Sequence, residues 1–339
     1  MGSRNWIAAL AVTAGLLAAL PAAALDKVTF GTNWKAQAEH GGYYQALVDG
    51  TYERYGLDVT VRQGGPNVSH PQLLAASKID FNMGGNMFAA FNYLTNKVPM
   101  VTVAAAFQKD PQILMVHPDT PYRSLADLKG VTLLISRAGQ LTFWQWLKRA
   151  YGYTDQQVRP YTFNPAPFIA NKDWGQQGYV TSEPFAVEQT GGFTPRVFLL
   201  ADNGYQSYST TVETSWKLVD ENPDLVQRFV DATAIGWVNY LYGDPSAANA
   251  LIRRDNPDIT DAQLAYSLAK MKEYGIVDSG DTETLGINAM TDARWRSFYG
   301  FAVDAGLFAP GLDLERGYTL RFVNKGVGLD RKKELLARQ

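Results

Sequence analysis

Apolar and polar positions along the chain switch repeatedly between a period of two and helical spacing. Val28 and Phe30 alternate with Lys27, Thr29 and Thr32, which predicts a first strand ending near Gly31-Thr32-Asn33-Trp34. A helix over 43–55 closed by Gly56 follows, then a strand at Val59 and Val61, a short helix over 72–77 and a third strand over 79–83. Residues 87–96 read as helix. Residues 100–106 are a nearly continuous apolar run, as in a strand buried on both faces. Such alternation predicts an α/β fold with a largely parallel sheet.

The pattern breaks at His117-Pro118-Asp119-Thr120-Pro121, just after an apolar strand over 113–116, and this predicts a change of lobe. Residues 25–117 then form the first part of lobe I, 118–204 lobe II, and 205–339 the return to lobe I with the C-terminal helices. Lobe II is expected to hold a capped turn at Ser124-Leu-Ala-Asp127, a strand over 131–135, a helix over 141–151, a strand at Tyr179-Val180-Thr181, a helix from Pro184 and a strand over 197–200. Two crossings between lobes make a hinge. In the remainder, Asn222-Pro223-Asp224 supplies an N-cap, a proline for the first turn and an acid beside the helix dipole. Two apolar stripes follow, one through Leu225, Phe229, Ala232, Gly236 and Tyr240 and one through Val226, Val230, Trp237 and Leu241, so this helix should be buried on more than one side. Further helices are expected over 261–274 and 288–305, with a surface helix over 330–339.

Composition narrows the functional classes. The 339 residues contain no cysteine, which excludes disulfides, thiolate metal sites, cysteine catalysis and an acylated-cysteine anchor. The 31 basic and 33 acidic residues balance, so nothing marks a nucleic-acid partner. Met1–Ala24 carries Arg4, an apolar run from Trp6 to Leu20 and then Pro21-Ala22-Ala23-Ala24, the three parts of a cleaved secretory signal. At 15 residues the apolar run is shorter than the ~20 needed to span a bilayer. A free periplasmic protein is the expected product.

His40, His70 and His117 are not spaced as a zinc pair, and no nucleophile elbow, phosphate loop or dinucleotide fingerprint occurs. The diglycines at 41–42, 64–65, 84–85 and 191–192 read as tight turns or close backbone approaches. Aromatic and polar side chains gather instead where strands give way to helices, which is where open α/β sheets bind ligands. Five such loops are expected to meet at one cleft: Asn33-Trp34, Glu39–Tyr44, Gly84-Gly85-Asn86, Ser136–Trp144 and Ser182-Glu183-Pro184. Ring faces there would sandwich a flat heteroaromatic solute, carboxylates would accept from its amino groups, and helix N-termini would hold an acidic substituent. The ligand-binding candidates are Trp34, Glu39, His40, Tyr43 in preference to Tyr44, Asn86, Gln140, Thr142, Trp144 and Glu183. Each has a structural alternative: Trp34 and Trp144 as core, Glu39 and Glu183 as first-turn acids, His40 as a loop support.

Trp34-Lys-Ala-Gln-Ala-Glu39-His40-Gly-Gly-Tyr43-Tyr44-Gln-Ala-Leu, followed by Gly50-x-Tyr-x-x-Tyr-Gly56-Leu57-Asp58-Val59, resembles the thiamine-pyrimidine-precursor-binding group of periplasmic solute-binding proteins. These are relatives of the nitrate-, sulfonate- and taurine-binding proteins and of eukaryotic thiamine-pyrimidine synthases. The resemblance continues through Ile79-Asp80-Phe81, Ser124-Leu-Ala-Asp127-Leu-Lys-Gly130, Gly178-Tyr-Val-Thr-Ser-Glu183-Pro-Phe and Asn222-Pro223. It implies a type II two-lobed binding protein, each lobe a mostly parallel sheet flanked by helices, with a helical C-terminal portion. It also implies a monomer without cofactor that captures a small solute and delivers it to an inner-membrane ABC permease with its ATPase. Trp34, Glu39, His40 and Tyr43 would line the first lobe's wall, and Ser136–Trp144 with Glu183 the other. Gly178-Tyr179-Val180-Thr181 departs from the aspartate and alanine usual before the acidic segment.

Two alternatives follow from the same resemblance. An oxyanion receptor for nitrate or sulfonate needs several donors, whereas the loops offer one guanidinium, Arg137, against two carboxylates. An enzyme like the pyrimidine synthases would use a lysine-bound pyridoxal phosphate and a cysteine-rich iron motif; the missing cysteines and the export signal oppose it, and His40 is the feature in its favour. A heterocycle with exocyclic amino donors is the preferred ligand class, with flavin-like and purine-like rings as further members.

Overall fold

In a computed structural model that describes residues 24–65 and 68–338, the chain builds one sheet, crosses to build a second, and returns. The expected signal Met1–Ala24 lies outside the described residues except for Ala24. The first lobe starts with β1 (Asp26–Gly31), α1 (Gly41–Val48), α2 (Thr51–Arg54), β2 (Leu57–Arg62), α3 (His70–Ala75), β3 (Phe81–Asn86), α4 (Phe88–Thr95) and β4 (Met100–Phe107). Every residue of β4 is buried, as its apolar run requires. The second lobe comprises β5 (Gln112–Val116), β6 (Leu133–Ile135), α5 (Arg137–Gln140), α6 (Phe143–Tyr151), β7 (Val158–Pro160), α7 (Ala166–Ala170), β8 (Gly175–Tyr179), α8 (Glu183–Gly191) and β9 (Arg196–Leu199). The return begins with β10 (Ser209–Ser215).

Sheet order is β2-β1-β3-β10-β4 in the first lobe and β7-β6-β8-β5-β9 in the second. In each sheet the one strand antiparallel to its neighbours is the strand that has just arrived from the other lobe, β10 in the first and β5 in the second. The remaining pairings, β1 with β2 and β3, and β6 with β7 and β8, are parallel. The mostly parallel α/β architecture expected from the sequence is therefore present twice.

The change of sheet comes earlier than the expected His117–Pro121. β5 belongs to the second sheet, so the crossing is the segment 108–111 that ends in Pro111. Two successive buried apolar strands had no polar break between them other than Gln108-Lys109-Asp110, and the two later prolines gave the stronger local signal. The second crossing runs over 200–208. Arg294, on a helix of the C-terminal portion, ties the two together: its Nε donates to the Gln206 carbonyl (2.9 Å), its Nη2 to the carbonyls of Gln108 and Ser207, and its guanidinium lies 4.1 Å from the Tyr208 ring.

Helices α9 (Trp216–Glu221), α10 (Pro223–Tyr242), α11 (Ser246–Asp255), α12 (Asp261–Glu273), α13 (Thr282–Leu285), α14 (Asp292–Asp304) and α15 (Leu329–Leu336) complete the chain. α10 starts where the capping residues put it, with Asn222 Oδ1 accepting from the Leu225 amide at 3.1 Å, and both apolar stripes are buried. Phe229 stacks on Phe81 at 4.1 Å and on Tyr52 at 5.6 Å, joining the helix to the sheet. α1 packs on the same helix through Gly41, Gly42 and Gly236: a Cβ on Gly42 would lie 2.3 Å from the Trp237 ring, and one on Gly236 2.2 Å from the Gly42 carbonyl oxygen. The 41–42 diglycine is thus a close backbone approach. The helix expected over 43–55 is broken into α1 and α2 at Gly50, whose φ of 71° no helix interior accepts. Among the described residues no helix is long and apolar enough to cross a membrane.

Candidate functional site

The C-terminal ends of β1, β7 and β8 bring residues of both lobes together. After β1 the chain is pinned in an irregular loop: the Trp34 carbonyl accepts from Thr32 Oγ1 (2.8 Å) and the Gly64 amide (3.0 Å), and the Ala36 amide donates to Gln63 Oε1 (3.0 Å). This presents Trp34, partly buried, with its ring 5.8 Å from that of Phe163 in the second lobe. Phe163 lies 5.2 Å from Tyr161, and Tyr161 OH donates to Glu183 Oε1 at 3.4 Å. The backbone amide of Tyr179 donates to Glu183 Oε2 at 2.7 Å, so this acid at the start of α8 is held by its own preceding loop.

A second contact crosses between lobes deeper in. Thr181 Oγ1 donates to Glu39 Oε1, and the Thr181 carbonyl accepts from Ser267 Oγ on α12 at 2.7 Å. Glu39 and Thr181 are both buried. Burial raises the Glu39 carboxyl pKa above the ordinary value, with the Thr181 hydroxyl pulling the other way. Glu183 is pushed up to about 7 chiefly by burial, opposed by the Tyr179 and Glu183 amides and reinforced by the charge of Glu39. Asp110, in the first crossing, also rises to about 7 through burial. Near neutrality Glu183 is therefore partly protonated and able to accept or donate a hydrogen bond, beside the exposed Phe163 ring and the half-buried Trp34 ring.

His40 completes the first-lobe side without facing solvent. Its Nε2–H donates to Asn33 Oδ1 at 3.2 Å, its Nδ1 is buried without a partner, and burial lowers its pKa to about 3. The imidazole is neutral at any physiological pH.

A family model described as NMT1/THI5 like matches residues 37–248, more than half of the chain. The chain belongs to the NMT1/THI5-like family. Among curated relatives, the riboflavin-binding protein RibY of Chloroflexus aurantiacus is 24% identical over 312 residues, covering 89% of this chain and 87% of that one. Among solved structures, the periplasmic aliphatic sulphonate binding protein SsuA of Escherichia coli superposes with a TM-score of 0.64 at 14% identity, over 86% of this chain and 91% of that one. The desulfurization enzyme DSZB gives 0.58 at 16% identity, over 92% and 99%. The fold is that of the periplasmic solute-binding proteins, and DSZB shows that an enzyme also uses it.

Within this NMT1/THI5-like chain the sequence candidates divide. Trp34 and Glu39 make cross-lobe contacts, Glu183 stands beside them, and His40 adjoins Glu39 in the chain and bonds to Asn33. Tyr43 does not join them: it is fully buried in the first-lobe core, 4.3 Å from Phe30 and 5.9 Å from Trp237. Trp144 is likewise a core residue, packed 5.6 Å from Tyr153 with its indole N–H donating to Asp155 Oδ1 at 2.8 Å. An amphipathic α6 must bury one face, and Phe143, Trp144 and Leu147 are that face. Gln140 Nε2 donates to the Ile135 carbonyl (3.2 Å) and Thr142 Oγ1 to the Ala138 carbonyl (2.9 Å), so both close on their own turn. Asn86 is the last residue of β3, not part of a loop, and its Oδ1 accepts from the Phe88 amide (3.2 Å) at the start of α4. The residues missed are Tyr161, Phe163 and Thr181. Tyr161 and Phe163 follow a three-residue edge strand ending in proline, too short for its alternation to register; their position just before the turn into α7 was the available signal.

Proposed function

We propose that this chain is an exported receptor that captures a flat heteroaromatic solute between its lobes and passes it to an inner-membrane ABC permease driven by its ATPase. The observation that carries the reading is the cross-lobe wall: Trp34, Phe163 and Tyr161 supply rings, while Glu39 supplies a buried carboxyl group and Glu183 a half-buried one beside them. An aminopyrimidine fits this chemistry, with exocyclic amine and ring nitrogens meeting the carboxyl groups. A flavin ring fits it too, and the relative named as riboflavin-binding, aligned over most of both chains, supports the same ligand class. A sulfonate or nitrate would meet two carboxyl groups and no buried cation among the residues that form the wall, an unfavourable exchange for an anion leaving water.

The reading is of binding without turnover. His40, the residue that favours an enzyme-like alternative, is sequestered on Asn33 and held neutral. Closure then requires only that the ligand bind the closed arrangement better than the open one. A periplasmic location belongs to the same proposal, supported by the signal-like pattern of Met1–Ala24.

Titration of the mature protein with 4-amino-5-hydroxymethyl-2-methylpyrimidine, riboflavin, an alkanesulfonate and nitrate, followed by fluorescence, tests the proposal. Saturable binding of the pyrimidine or of riboflavin is expected. Saturable binding of the sulfonate or nitrate alone would replace it with the oxyanion reading.

A further inference from the structure

Phe163 stands out among the large apolar residues because it is 61% exposed while its backbone sits in the left-handed region, with φ of 61°. That conformation is comfortable for glycine and tolerable for asparagine, and it strains a bulky side chain. The chain needs the turn there, since β7 ends at Pro160 and α7 starts at Ala166, where Asn164 Oδ1 accepts from the Ala166 amide at 2.9 Å. It does not need an aromatic ring to make it. The ring also contributes little to the second-lobe core, because most of its surface is exposed. What it reaches is Trp34 of the other lobe, with Tyr161 and then Glu183 behind it.

We propose that Phe163 is a ligand-retaining residue: with Trp34 it forms an aromatic seal across the outer edge of the cleft, closing over a solute held against Tyr161, Glu183 and Glu39. The inference rests on the cleft being the binding site. Because the two rings belong to different lobes, parting of the lobes separates them and closure rejoins them, and no independent lid motion is required. The seal acts on escape. Solute enters while the rings are apart, so association is little affected, whereas dissociation must break the Trp34–Phe163 contact. The strained backbone is the signature of a residue whose side chain serves something other than local stability.

Two variants separate this role from a structural one. Phe163→Gly removes the ring and relieves the backbone, while Phe163→Tyr keeps an aromatic face. With riboflavin and 4-amino-5-hydroxymethyl-2-methylpyrimidine as probes, the dissociation rate constant is measured by stopped-flow competition, and the melting midpoint is measured without ligand. Phe163→Gly should release the bound probe at least tenfold faster with an unchanged or higher midpoint, and Phe163→Tyr should stay within about threefold of the wild type. A Phe163→Gly protein that releases the probe at the wild-type rate overturns the seal and leaves the binding reading intact. A wild-type protein that binds neither probe overturns the heteroaromatic reading and the seal with it.

Discussion

Glu213 offers a quantitative test of the first lobe. It lies on β10, fully buried, and its Oε2 accepts from Asn82 Nδ2 at 2.8 Å and from Tyr93 OH at 2.7 Å. Burial raises its pKa to about 7, against the lowering effect of Tyr93, Asn82 and Thr211. Glu213→Gln keeps an oxygen for Asn82 and Tyr93 and cannot ionise. The native pKa lies above the unfolded one, so the native state holds the proton more tightly. Stability from this group is complete below pH 4.5 and is lost as pH rises through about 7. At roughly 1.4 kcal/mol per pKa unit, the loss is about 3 kcal/mol by pH 8, for a group with no solvent screening. Urea denaturation followed by tryptophan fluorescence from pH 4 to 8 gives the difference between variant and wild type directly. The variant should gain about 3 kcal/mol relative to the wild type across that range. A difference independent of pH would refute the reasoning, because Glu213 would then titrate alike in the folded and unfolded chains.

Two further predictions concern residues whose roles the structure reassigns or fixes. Tyr43→Phe deletes a hydroxyl buried in the first-lobe core beside Trp237, away from the cross-lobe contact, so it should change stability by about 1 kcal/mol and leave ligand affinity unaltered; a tenfold loss of affinity in the titration would put Tyr43 back on the ligand wall. His40 should remain neutral at pH 5 by ring ¹⁵N chemical shift, and its native pKa of about 3 against an ordinary 6.5 means that it opposes folding as pH falls through that interval, opposite in sign to Glu213. A His40 ring that titrates near 6.5 would contradict its burial.

Local rules carried the reading wherever chain-neighbour physics decides the outcome. The Asn222-Pro223-Asp224 cap, the capping box between Ser124 and Asp127, and the apolar strand at 100–107 all form as their residues require. The errors lie where a distant partner decides. Gly84-Gly85 is expected to follow the third strand, yet it lies inside β3 paired with β10, and Gly84 is a close approach there: a Cβ on it would lie 2.0 Å from Glu213 Oε1. Tyr43 and Trp144 stand near helix starts that follow strand ends, the right address for a ligand contact; which face each helix buries was set by Trp237 and Tyr153, elsewhere in the chain. Glu39 and Trp34 were legible from their address, whereas their cross-lobe partners Thr181 and Phe163 depend on how the two sheets meet. No spacing within one segment encodes that.

The central claim is that the cleft holds a flat heteroaromatic solute. Mass spectrometry of small molecules released from the mature protein, after purification from its native periplasm without denaturation, tests it most directly. The expected result is a stoichiometric nitrogen heterocycle, an aminopyrimidine or a flavin, that is lost from a Glu39→Ala, Glu183→Ala double variant. Recovery of a stoichiometric organosulfonate or nitrate, retained by that double variant, would contradict it.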